Sequence, residues 1–186
     1  DVFLAHDDLE PSAEWSREIR AQLLAADIFL PLLTDNFPNS KWTDQETGMA
    51  IASDKLIVPL KVDLNPYGFA GAIQALLLDP DNVEAACAKI TKTIAKNPRL
   101  REGFLDGLIK MFSESFSFED AAAKATLLVQ FDGYTPQQVR QVLLAIVDND
   151  QIHKSFNAQR RMANFIASYG SQAEPALVKK ARAAMQ

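Results

Sequence analysis

A chain of 186 residues with 48% hydrophobic and 23% charged content carries apolar material for one good core or two small ones, which excludes disorder as the main state. A net charge of −5 excludes an overall positive field that would draw nucleic acid or an anionic membrane, and no apolar run approaches the roughly 20 residues of a membrane span. The single cysteine, Cys87, rules out an internal disulfide and, with no signal-like stretch, points to a reducing cytoplasm.

Asp1 stands directly against the strand-like VFLAH (2–6), so residues upstream of it are expected. Residues 14–25 carry Trp15, Ile19, Leu23 and Leu24 at helical spacing, with Pro11 or Ser12 able to open the helix. DIFLPLL (27–33) is a near-continuous apolar run, as a strand covered on both faces requires. Its Pro31 removes a ladder donor, which predicts a bulge or an unpaired site there. A helix over 44–53, the strand LIVPLKV (56–62) and a turn-rich loop, DLNPYGFAG, follow. This alternation is the pattern of α/β units around a parallel sheet.

Beyond residue 81 the strand signal gives way to helices, expected over 82–96, 99–114, 118–131, 136–148, 151–169 and 173–185. Within the first, AACAKITKTI places Cys87 as a small buried residue. Thr135-Pro136-Gln137-Gln138 specifies a helix start, and Val139, Val142, Leu143, Ile146 and Val147 form an apolar stripe behind it. The pattern predicts an α/β domain over 1–80 and a helical domain over 81–186.

Ligands of parallel α/β sheets bind beyond the carboxyl ends of the strands. The expected strands end at His6-Asp7-Asp8, at Thr34-Asp35-Asn36-Phe37 and at Lys61-Val62-Asp63, with Trp42, Glu46 and Tyr67 in the segments that follow. Acids and hydroxyls there suit ribose, and aromatics suit flat rings. Glycine-rich phosphate loops, paired metal ligands and a nucleophile elbow are all missing from the sequence, so no metal and no bound cofactor is expected. Several residues have a second reading. Thr43-x-x-Glu46 has the spacing of a capping box, Trp42 can be a buried wedge, His6 a hydrogen-bonded structural histidine, and Lys61 a solvated side chain.

DVFLAHDD, AADIFLPLLTDNF, SKWTDQETGMAIA with its W-x-x-x-E pattern, and KLIVPLKVDLNPYGF together resemble the Toll/interleukin-1 receptor (TIR) domains in their compact bacterial form. The resemblance covers about residues 1 to 77 and implies a shortened, flavodoxin-like parallel sheet. It also implies an NAD+-cleaving enzyme, a glycohydrolase or cyclase, of the kind many bacterial members use in antiphage defence. Glu46 matches the family's catalytic glutamate and Trp42 its motif tryptophan; His6, Asp7, Thr34 and Phe37 would line the cleft that takes NAD+ as substrate. Lys61 and Tyr67 complete the expected substrate-binding set. Larger members place another helix and strand before the strand matched by DIFLPLL, so their mode of self-association does not carry over. The helical domain has no counterpart in the TIR core, so it is expected to be a separate module that senses, docks or multimerises, and association with a second copy or a protein partner is expected through it instead. Two alternatives stay open: a non-catalytic TIR adaptor, and an enzyme like the nucleoside deoxyribosyltransferases.

Overall fold

The computed structural model describes residues 15–40 and 42–186. The expected first strand, with His6 and Asp7, lies outside the described residues. The chain divides into two compact units, Asp1–Lys96 and Asn97–Gln186.

The described part of the first unit begins with α1 (Trp15–Ala25), then β1 (Ile28–Phe29) and β2 (Leu32–Leu33). A 3-10 turn (Phe37–Asn39) leads into α2 (Thr43–Ala52), β3 (Leu56–Ile57) and β4 (Leu60–Lys61). A second 3-10 turn (Gly68–Ala70), β5 (Leu76–Leu77) and α3 (Val83–Lys96) complete it. Strand β1 pairs with β3, β2 with β4, and β4 with β5, all parallel. The two expected strands, 27–33 and 56–62, are thus each split into two short pieces.

Proline chemistry explains the split. The amides of Leu56, Val58, Leu60 and Val62 donate in turn to the carbonyls of Asp27, Phe29, Pro31 and Leu33. One side of the ladder is therefore complete, whereas the return bond at Pro31 is missing because proline has no N–H to give. Pro59 faces the other neighbour: its carbonyl accepts from the Leu76 amide at 2.8 Å, and its missing donor falls before β5 begins. Both prolines are buried, as are Leu33 and Val58. Strand β5 was not expected from the sequence; LLL beside Asp79-Pro80 is too short a run to separate from a loop.

Leu23, Ala50 and Ile57 form the described core of this unit, with Phe29, Met49, Ile51 and Ile73 against them. Leu24, read as part of the buried face of α1, is instead 49% exposed. At the end of α2 the chain turns through Asp54 in the left-handed region (φ 53°), and the Lys55 and Asp54 amides close back on the Ala50 and Ile51 carbonyls. That turn aims the chain straight into β3. Helix α3 belongs to this unit and packs on β5, so the division falls after it, at 96, rather than at 80.

The second unit is helical: α4 (Arg101–Ser113), α5 (Phe118–Leu128), α6 (Pro136–Asp148), α7 (Asp150–His153), α8 (Phe156–Tyr169) and α9 (Pro175–Ala184). The expected capping box opens α6, with the Gln138 amide donating to Thr135 Oγ1 at 3.2 Å and the Thr135 amide to Gln138 Oε1 at 3.1 Å. Val139, Val142, Leu143 and Ile146 are fully buried in one core with Phe112, Leu128 and Met162. Tyr134 plugs this core edge-on to Phe165 and Tyr169, and its hydroxyl donates to the Leu128 carbonyl at 2.7 Å. The single helix expected over 151–169 is two helices. Asn149 caps α7 through a 2.8 Å bond from the Gln151 amide, and buried Ser155 turns its hydroxyl to the Phe118 carbonyl at 2.9 Å.

Candidate functional site

The carboxyl edge of β2 and β4 positions the candidate side chains. Beyond β2 the carbonyl of Thr34 accepts from the Phe37 amide at 2.9 Å, which starts the 3-10 turn. Thr43 then ties the head of α2 to that turn, its hydroxyl donating to the Phe37 carbonyl at 2.7 Å and facing the Ser40 carbonyl at 3.4 Å. One turn further along α2, the Thr47 hydroxyl donates to the Thr43 carbonyl at 2.7 Å. Turn and helix start are thereby locked as one piece.

These bonds overturn the capping-box reading of Thr43 and Glu46. Thr43 is the first helical residue and Trp42 the N-cap, with no side-chain capping bond. The Glu46 amide donates to the Trp42 carbonyl at 2.9 Å, as helix interior, and the Thr43 hydroxyl has turned away to donate elsewhere. Among the described residues the Glu46 carboxylate accepts no hydrogen bond and makes no ion pair. It is half-buried, and desolvation pushes its pKa up. A half-buried carboxylate with no capping bond and no partner among the described residues is unusual.

The aromatics divide. Phe37 meets Tyr67 edge to face, with ring centroids 6.3 Å apart and planes at 81°. Tyr67 in turn donates its hydroxyl to Asp44 Oδ1 at 2.7 Å, in the same first turn of α2 that carries Glu46. That hydrogen bond raises the Tyr67 pKa, with burial and the negative charge of Asp44 adding to it. Trp42 is not the buried wedge of the alternative reading: it is 46% exposed. Lys61, at the end of β4, donates to Asn65 Oδ1 at 2.7 Å in the loop after its own strand.

The structure therefore fastens Phe37 and Tyr67 to the head of α2 through Thr43 and Asp44, places Trp42 and Glu46 one turn apart in that same corner, and holds the Lys61 amine to Asn65. His6 and Asp7 lie outside the described residues. Sequence reasoning passed over Asp44, which fastens the Tyr67 loop; the available signal was a second acid in the first turn, beside the W-x-x-x-E pattern. Cys87 is exposed rather than buried, although it shares a helix face with buried Ile94 one heptad on. Among the described residues no three metal-binding side chains gather, and no helix is long and apolar enough to cross a membrane.

Such a corner offers a half-buried carboxylate for a hydroxyl or a developing cation, on a helix head to which aromatic side chains suited to a flat group are also fastened. No curated protein and no solved structure matches the chain. A family model does: that of the TIR domain, over residues 1–91. The match spans both blocks that build the corner, the strand and turn at 28–39 and the helix head at 42–46, together with α3 as far as residue 91. Residues 1–91 are therefore a TIR domain, and the chain is a TIR-domain protein whose second unit is helical.

Proposed function

We propose that this TIR domain cleaves the nicotinamide–ribose bond of NAD+, with Glu46 as the catalytic residue. TIR domains include enzymes of this kind and adaptors that act by binding protein. The observation that favours the enzyme is the state of Glu46: half-buried, raised in pKa, and released from any capping bond. The adaptor reading needs no such residue, since it leaves Glu46 only a cap's work, and no cap bond is made.

The chemistry asks little of the protein beyond that carboxylate. As the C1′–N bond breaks, its electron pair returns to the pyridine nitrogen, which leaves as neutral nicotinamide and needs no acid. Positive charge builds on C1′ and the ring oxygen, as in glycoside hydrolysis. An ionised Glu46 bonded to the ribose hydroxyls opposes that charge, and does so more strongly for being partly out of water. Water adding to C1′ and releasing a proton gives ADP-ribose. A nucleophilic ring atom of the same molecule, folded against C1′ with water excluded, gives a cyclic isomer.

In this reading Phe37, Tyr67 and Trp42 hold the rings, and Thr34 and Lys61 bond the polar parts; the family resemblance assigns His6 and Asp7 to the substrate as well. NAD+ is consumed as substrate, no separate cofactor takes part, and the setting is antiphage defence or signalling. The test is to incubate the purified chain with NAD+, alone and with candidate activators, and to separate the products by chromatography. Nicotinamide together with ADP-ribose or its cyclic isomer is the expected result; intact NAD+ under every condition would sink the reading.

A further inference from the structure

The second unit carries two exposed surfaces of opposite character that its own fold keeps apart. Around the start of α5, Phe116 is 81% exposed and Phe118 50% exposed, and Phe156, the first residue of α8, is 75% exposed. The Ser155–Phe118 bond joins the two segments, and Asn149 Nδ2 fixes the loop before them by donating to the Ser113 and Ser115 carbonyls at 3.0 and 2.8 Å. The aromatic knob is held in place. Exposed Glu114 and Glu119 flank it, Asp120 pairs with Lys124 and Asp150 with Lys154, Lys124 Nζ lies over the Phe116 ring at 5.7 Å from its centroid, and exposed Arg160 stands one turn after Phe156.

At the other end of α8 a groove of about 690 Å³ opens between its last turn and α9. Ile166, Gly170, Val178 and Ala183 make it apolar, and Lys179 and Arg182 give it positive charge with no acid in the lining. Glu174, the acid at the head of α9, faces Arg140 instead at 3.7 Å. Gly170 keeps the groove deep, since a Cβ there would come within 3.3 Å of an Ile166 methyl and 3.6 Å of Val178. The unit thus presents an acid-flanked aromatic knob and a base-lined apolar groove.

We propose that copies of this chain associate head to tail, the knob at Phe116, Phe118 and Phe156 of one copy seating in the groove at Val178, Lys179 and Arg182 of the next. Knob and groove cannot meet within one copy, because the 14 residues of α8 between them span about 20 Å. A second copy supplies both the rings that fill the groove and the carboxylates that match its cations. A knob-to-groove contact is heterologous, so it propagates into a ring or an open filament rather than closing as a symmetric pair. The association is a property of the second unit and stands whether or not the first unit cleaves NAD+.

The test uses the full chain in sedimentation velocity over a range of protein and salt concentrations. Assembly is expected to grow with protein concentration and to recede with salt. Lys179→Glu with Arg182→Glu, and separately Phe116→Ser with Phe156→Ser, are each expected to weaken it about 10-fold or more. Should the second pair lower the melting temperature, Glu114→Lys with Glu119→Lys replaces it. The decisive arm mixes a groove variant with a knob variant. Each alone is expected to stay monomeric, yet the mixture should form a 1:1 dimer through the one intact knob and the one intact groove. A parent chain that stays monomeric throughout, variants that assemble like the parent, or a mixture that never pairs would each overturn the proposal.

Discussion

At the scale of single residues, Glu46 decides between a structural and a chemical reading, and its protonation gives a sign that can be measured. A carboxyl whose folded pKa lies above its unfolded value holds its proton more tightly in the folded chain. Stability then falls as pH rises from the ordinary glutamate range through the raised value, and ionised Glu46 is a net cost at neutral pH. Glu46→Gln is accordingly expected to raise the melting temperature at pH 7 and to lose that advantage in acid, where the parent residue is also neutral. A capping glutamate would give the opposite sign at pH 7. The residue itself was legible in the sequence, through its place after a strand's carboxyl end and the Trp42 pattern. Its freedom was not, because spacing cannot tell whether the Thr43 hydroxyl accepts from an amide or, as here, donates to the Phe37 carbonyl.

At the scale of elements, local chemistry was readable wherever one residue type has one structural meaning. Thr135-Pro136 sets the start of α6, and the capping box forms as expected. Thr135→Ala should cost about 1 kcal/mol, read from chemical denaturation as a lower midpoint with an unchanged slope. Pro31 also declared its missing rung. Less was legible where tertiary contacts decide: β5 exists because Pro59 and Lys61 offer carbonyls to Leu76 and Leu78, and nothing in LLL announces those partners. The break between α7 and α8 is similar. Ser155 leaves the helical pattern for the Phe118 carbonyl, 37 positions away in sequence, which periodicity within one segment cannot show.

At the scale of the whole molecule the chain is an α/β TIR domain followed by a helical unit. Helices α4 to α9 of the second unit share one core in which α6 and α8 bury Val139, Val142, Leu143, Ile146 and Met162 completely, whereas β1 to β5 are each two residues long and carry half-buried or exposed positions. Amides of α6 and α8 should therefore exchange with solvent more slowly than those of β1 to β5 in hydrogen-exchange measurements. The order α/β then helical was readable from the change of period near residue 80. The exact division was not, since α3 has a helical sequence like those after it and joins the first unit through β5. On the proposed activity, an enzyme that destroys NAD+ must be held in check, and the proposed assembly through the second unit is a suitable switch for it. The most direct measurement is nicotinamide release from NAD+ by the full chain and by Glu46→Gln under identical conditions. The account predicts that the variant keeps its fold and loses about 100-fold or more of the rate; a variant that releases nicotinamide as fast as its parent would contradict it.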